Sequence, residues 1–163
     1  MKIQELTYSH ILYTTEFSQN WEDVFANAVS IAKKYNAKLT VLHVLNTDFI
    51  DLLVFDVGIE RASSVEKRLT LVKDYTSNAK ESVLSKLKDI MDQGLLSETD
   101  VLVERGNPVK TILKVAEEKN CDLIVMGFKG RATFEDATIG DTVNRVLHRS
   151  KLPVLVIHNN KDK

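Results

Sequence analysis

The sequence predicts a doubly wound α/β domain: five parallel strands in the order 3-2-1-4-5, with helices on both faces of the sheet. Strand-like and helix-like segments alternate along all 163 residues, and parallel neighbours need a crossover element between them. The strand-like runs lack regular apolar/polar alternation, as expected of a sheet covered on both faces. An apolar run, Leu123-Ile124-Val125-Met126, ends on Gly127; Gly130 and Gly140 follow, then an amphipathic stretch at 143–150. That layout is a strand, a glycine-punctuated loop and a helix start.

The first strand is residues 10–14, and residues 19–35 follow with helical spacing, placing Val24, Ala28, Ile31 and Ala32 on one face. Ser18 or Asn20 is placed to cap that helix. Residues 38–45 form the second strand. A long helical pattern runs through Val65, Leu69, Val72, Ala79, Val83, Leu87 and Ile90, with Gly94 set to end it. From 61 to 94 one helix would reach about 50 Å, longer than a domain of this size is wide, so it should start late, break or protrude. The third strand, 99–104, leads into Gly106-Asn107-Pro108: a turn glycine, a capping Asn and Pro at the first helical position. The helix runs to about 119, the fourth strand spans 122–126 and the fifth 153–157.

The chain is 44% hydrophobic, enough for one domain spanning residues 1–163 with a full core. A net charge of −1 argues against nucleic acid or an anionic membrane as the main partner. The lone cysteine, Cys121, cannot form an internal disulfide and suits a reducing compartment. With neither a membrane-length apolar run nor a secretory hydrophobic region, the expectation is a cytoplasmic protein.

In a 3-2-1-4-5 sheet the strand order reverses between strands one and four, and ligands bind beyond the carboxyl ends of the strands there. The glycine loop after strand four would face the Thr14-Thr15-Glu16-Phe17-Ser18 turn after strand one. Glycines let backbone N–H groups approach a ligand, and a helix start adds partial positive charge, so the crevice suits a phosphate. It is neither a Walker loop nor a G-x-G-x-x-G fingerprint.

The residues 10–18, Val41-Leu42-His43-Val44, Gly106-Asn107-Pro108, 122–127 with Lys129-Gly130-Arg131, Gly140, and 153–157 resemble the universal stress proteins, from about Tyr8 to Ile157. The resemblance implies a homodimer of the adenine-nucleotide α-hydrolase-like type, whose ATP-binding branch carries G-x2-G-x9-G-(S/T). Gly127, Gly130 and Gly140 match that spacing, with Asp141 where Ser or Thr is expected. By the same carry-over Val44 offers backbone hydrogen bonds to adenine, Met126 lines the base pocket, Glu16 replaces an Asp near the ribose and phosphates, and Thr14 replaces a Pro. Thr15 faces the phosphate loop, and Lys129 and Arg131 are its counter-charges.

Asp141 cannot donate a hydroxyl hydrogen bond and brings negative charge to a phosphate. Lys129 and Arg131 stand against Glu135, Asp136 and Asp141, so the loop is net acidic and should repel a bare triphosphate. Mg²⁺ would reverse that sign with Asp141 or Glu16 as a hard oxygen ligand, and Thr142, one residue late, offers a hydroxyl. The expectation is a stress-response regulator that binds ATP or another adenine nucleotide as a dimeric, nucleotide-dependent binding module. An interaction protein that has lost the nucleotide, and a slow ATP hydrolase, stay open beside it.

Elsewhere the readings are structural. His43 is a packed strand histidine, His148 with Arg145 and Arg149 belongs to a solvated helix face, and His10 and His158 are isolated. Residues 49–57, crowded with Phe49, Ile50, Leu52, Leu53, Val54, Phe55 and Val57, are either a short packed helix or a lid or contact patch for a protein partner. The apolar edge strand 153–157 is a pairing hazard unless covered, and pairing with its twofold mate would cover it.

Overall fold

A computed structural model describes residues 5–18, 21–46, 65–94, 97, 100–128 and 139–158, with the side chains of 65–69 and 71 outside that description. The elements are β1 (His10–Thr14), α1 (Trp21–Tyr35), β2 (Lys38–Asn46), α2 (Val65–Asp92), β3 (Val101–Gly106), α3 (Pro108–Glu118), β4 (Leu123–Gly127), α4 (Asp141–Arg149) and β5 (Val154–Ile157). The sheet runs β3-β2-β1-β4-β5, every neighbouring pair parallel, as the sequence predicts.

The missing apolar/polar alternation has a direct cause. Ile11, Tyr13, Leu39, Val41, Leu123 and Val125 pack with Val24, Phe25 and Ala28 of α1 and Val83 and Leu87 of α2. Their strand neighbours Leu12, Leu42, Ile124 and Met126 pack with Val109, Ile112 and Val115 of α3 and Val143 and Val146 of α4. The three inner strands, β1, β2 and β4, bury both faces.

Helix ends follow local rules. Asn107 accepts a hydrogen bond from Lys110 N–H at 3.2 Å with Pro108 opening α3. Before it, Gly106 sits at φ +147°, where an added Cβ would lie 2.6 Å from Thr111 Oγ1. Asn36 and Asn120, both at φ 52°, end α1 and α3 in the left-handed region. In each case the following N–H reaches back to close the last turn: Ala37 to Ala32 O and Cys121 to Ala116 O, both at 2.8 Å. Two asparagines thus fill the place glycine usually takes.

The helix expected to begin at 61 is described from Val65 and runs unbroken for 28 residues, about 42 Å, before Gly94 turns at φ 71°. Val83 and Leu87 are its buried anchors, while Tyr75 is exposed. The third strand begins at Val101, not 99, because Asp100 closes a turn with Ser97 and pairs with Lys38 at 3.8 Å. Residues 49–57 lie outside the described set.

At the entry of the sheet, the Asp122 carboxylate accepts from Ser9 N–H and Ser9 Oγ–H, both at 2.6 Å, and from His10 N–H at 3.1 Å. Partial burial pushes this carboxyl up, but the Ser9 and His10 hydrogen bonds outweigh it and hold it below its ordinary 3.8. The His10 ring bridges Lys119 O and Thr40 Oγ1, both at 2.8 Å. Isolated in sequence, His10 is a buried cross-link of β1, β2 and the end of α3.

Candidate functional site

The candidate site is the carboxyl end of β1 and β4, the central pair at which the strand order reverses. Thr14 is buried and pairs in register with Met126 on one side and Leu42 on the other. Alternation puts Thr14 on the same face as Leu12, and Met126 and Val44 belong to that face's cluster. Thr14, Val44 and Met126 thus occupy one face of three adjacent strand tips, beneath α3 and α4.

Beyond Thr14 the chain leaves the sheet in a turn held from several directions. Thr15 N–H makes the last rung to Leu42 O at 3.0 Å. Thr15 Oγ1 accepts from Phe17 N–H at 2.9 Å, and Thr15 O accepts from His43 Nδ1–H at 2.8 Å. Phe17 takes a left-handed φ of 51°. Its ring packs on Trp21 at 4.9 Å and His43 at 5.5 Å, with Lys86 Nζ 5.8 Å above it. Tyr13 Oη–H donates to Trp21 O at 3.1 Å, and burial raises the Tyr13 phenol well above its ordinary pKa. Glu16, at the apex, is exposed. Helix α1, strand β2 and helix α2 all contribute to fixing where Thr15 and Glu16 stand.

The glycine loop is closed at its base. Phe128 N–H donates to Ile157 O at 2.8 Å, and Gly140 N–H donates to Phe128 O at 3.0 Å. Both ends of the 129–139 connection therefore meet at one residue, whose ring stacks on His158 at 4.2 Å. Gly140 is the N-cap of α4 and offers no side-chain acceptor to the first turn, so the N–H groups there are not capped by it. Asp141 and Thr142 occupy that turn. Lys129, Gly130 and Arg131 lie outside the described residues.

Asp141, whose side chain is 81% exposed, extends along its own helix to Arg145 Nη1 at 3.3 Å. Its charge is partly balanced within α4, which softens the net acidity counted from sequence. Among the described residues no three His, Cys, Asp or Glu side chains converge as a metal site. Among the same residues no helix is long and apolar enough to cross a membrane.

Cys121 is buried below α3, and burial followed by the Asp122 charge pushes its thiol up to about 11. That environment disfavours thiolate chemistry. The residues that sequence patterns missed are His43 and Phe17. A histidine in mid-strand and a phenylalanine in no regular element carry no periodic signal; the His43 ring meets Phe17, and its hydrogen bond to Thr15 joins residues 28 apart.

A model of the universal stress protein family matches residues 7–158. Universal stress protein MJ0577 of Methanocaldococcus jannaschii is 28% identical over 157 residues, covering 92% of this chain and 94% of that protein. Its solved structure superposes with a TM-score of 0.76 at 25% identity, over 96% of this chain and 99% of that one. Universal stress protein UspA from Lactobacillus plantarum shares the fold at 23% identity and TM-score 0.57, over 94% and 99% of the two chains. So does a universal stress protein solved in complex with cAMP, at 21% identity and TM-score 0.58, over 94% and 98%. With the sheet order expected of it and a match from residue 7 to residue 158, the chain belongs to the universal stress protein family.

Proposed function

We propose that this stress-response protein binds an adenine nucleotide, ATP in the first instance, in the crevice beyond β1 and β4 and works as a nucleotide-dependent binding module. The observation that carries this reading is the closure of the glycine loop at Phe128, directly before the N-terminus of α4. Phe128 and Gly140 set the end of β4 beside the first turn of α4, and that helix start, with no side-chain cap from Gly140, offers N–H groups and partial positive charge to a phosphate. The base would lie over Val44 and Met126, with Thr14 beneath it. Thr15 and Glu16 would face the ribose and phosphates, and Gly127, Gly130, Gly140, Asp141 and Thr142 would surround the phosphate chain, with Lys129 and Arg131 as counter-charges. The cAMP held by a relative of this fold is a ligand of the same adenine class.

Mg²⁺ would enter with the nucleotide, bridging phosphate oxygens to Asp141 or Glu16. Any hydrolysis would be slow. Dimerisation would run through β5, an edge strand whose four residues are all only partly buried.

A second reading, an interaction protein without nucleotide, rests on Asp141 itself. Calorimetric titration of ATP, with and without Mg²⁺, on wild type and Asp141→Ser decides between them. In water two unit charges about 6 Å apart interact by roughly 0.7 kcal/mol. Removing the exposed Asp141 charge should therefore tighten Mg²⁺-free ATP by about threefold. Binding in neither protein would leave the interaction reading alone standing.

A further inference from the structure

We infer that His43 is a positioning residue: its Nδ1–H takes the Thr15 carbonyl in place of the next rung of the sheet and so leaves the backbone edge of Val44 unpaired with β1 at the tip of β2. The inference rests on the adenine reading for its purpose, but its geometry stands apart from any ligand.

Parallel strands address a given neighbour through alternate residues. Lys38 N–H donates to Ser9 O at 2.9 Å, and Leu42 O accepts from Thr15 N–H at 3.0 Å, so the even-numbered residues of β2 face β1. By that alternation the next rung would run from Val44 N–H to Thr15 O. The register instead ends at Thr14↔Leu42, and Thr15 O accepts from the His43 ring at 2.8 Å. A part-buried carbonyl at the end of a ladder needs one good donor, and the imidazole supplies it from the α1/α2 side of the sheet. The chain is then free to turn at Phe17, whose left-handed backbone and ring, 5.5 Å from His43, complete the arrangement.

The consequence is chemical selectivity. Val44 N–H and C=O point toward the β1 side beyond the end of β1. One donor and one acceptor on a strand edge complement the ring-nitrogen acceptor and amino donor of adenine. Guanine presents the reverse pattern, a ring N–H and a carbonyl, and would leave both groups mismatched. Because the carbonyl needs only an N–H, neutral Nδ1–H imidazole and imidazolium both serve.

Two variants separate this role from packing. His43→Phe keeps a ring against Phe17 and loses the donor, whereas His43→Asn loses the ring and places an amide N–H near where Nδ1–H stood. Amide hydrogen exchange at Val44 is read by NMR without ligand, and the affinities of ATP and GTP are measured beside it. The expected result is fast Val44 exchange in wild type and His43→Asn, and protection in His43→Phe as the ladder zips one rung further. ATP should weaken roughly tenfold in His43→Phe, with a smaller ATP-over-GTP ratio, and recover in His43→Asn. Equal Val44 exchange in all three proteins, or His43→Asn failing at least as badly as His43→Phe, overturns the inference. Should wild type bind no ATP while Val44 exchange follows the expected order, the nucleotide reading falls and the role of His43 survives.

Discussion

Asp122 ties the entry of β4 to the entry of β1, at the opposite end of the strand pair whose tips frame the crevice, and its removal puts the hydrogen-bond reasoning to a quantitative test. In Asp122→Ala the two Ser9 donors reach water easily because that contact is exposed. The costly orphan is His10 N–H, whose residue is only 9% exposed. A buried donor left unpaired costs about 1–3 kcal/mol, so about 2 kcal/mol is expected. For 163 residues, unfolding entropy near 2.1 cal/mol/K per residue gives about 340 cal/mol/K, and the melting temperature should fall by about 6 °C. The sign with pH follows from the depressed carboxyl. A group held below its ordinary 3.8 stabilises the fold above that pH and loses the contribution as pH falls through its folded value. The gap between wild type and variant should hold from neutral pH down to about 4 and close below it. Thermal melts by circular dichroism at neutral pH, with urea titrations at stepped lower pH, provide both numbers. A gap absent at neutral pH, or one that stays constant into acid, would refute the argument.

Other expectations follow from single contacts. Gly106→Ala should lose about 1–3 kcal/mol in urea denaturation, from the φ of +147° and the 2.6 Å approach to Thr111 Oγ1. The double variant with Thr111→Ala should recover only the steric part. Cys121 should resist a disulfide reagent in the native state and react once denaturant is added, since its thiol is buried and pushed up to about 11; prompt labelling of folded protein would contradict this. Leu87→Ala should cost about 2–5 kcal/mol, because the side chain is fully buried where α2 meets the sheet. Val156→Lys should sediment as a monomer if β5 pairs with its mate, and an unchanged dimer would send that interface elsewhere.

Much of the architecture is legible in local sequence. Apolar strands without alternation imply a doubly covered parallel sheet, and Asn107-Pro108 announces α3 because capping and a fixed φ are properties of those residues alone. The spacing of Gly127 and Gly140 marks where β4 ends and α4 begins. Other features depend on partners far along the chain. The left-handed asparagines at 36 and 120 end helices only because the next N–H finds a carbonyl five residues back. His10 reaches Lys119 across 109 positions, and His43 reaches Thr15 across 28. Periodicity carries no information about such contacts. Asp141 is a different case: summed charge along the loop omits Arg145, one helical turn away, which helical spacing places beside it.

Trp21 lies 4.9 Å from Phe17, and its carbonyl holds the Tyr13 hydroxyl at 3.1 Å. It is also the sole tryptophan of the chain. Indole emission therefore comes from one place, against the turn that would border a bound ligand. A displacement of that turn by a fraction of an ångström would alter the ring contacts around the indole and register as a spectral shift in unlabelled protein. The native chain carries its own optical gauge of the crevice, so ligand screens, stopped-flow association and the comparison of His43 variants can share one signal.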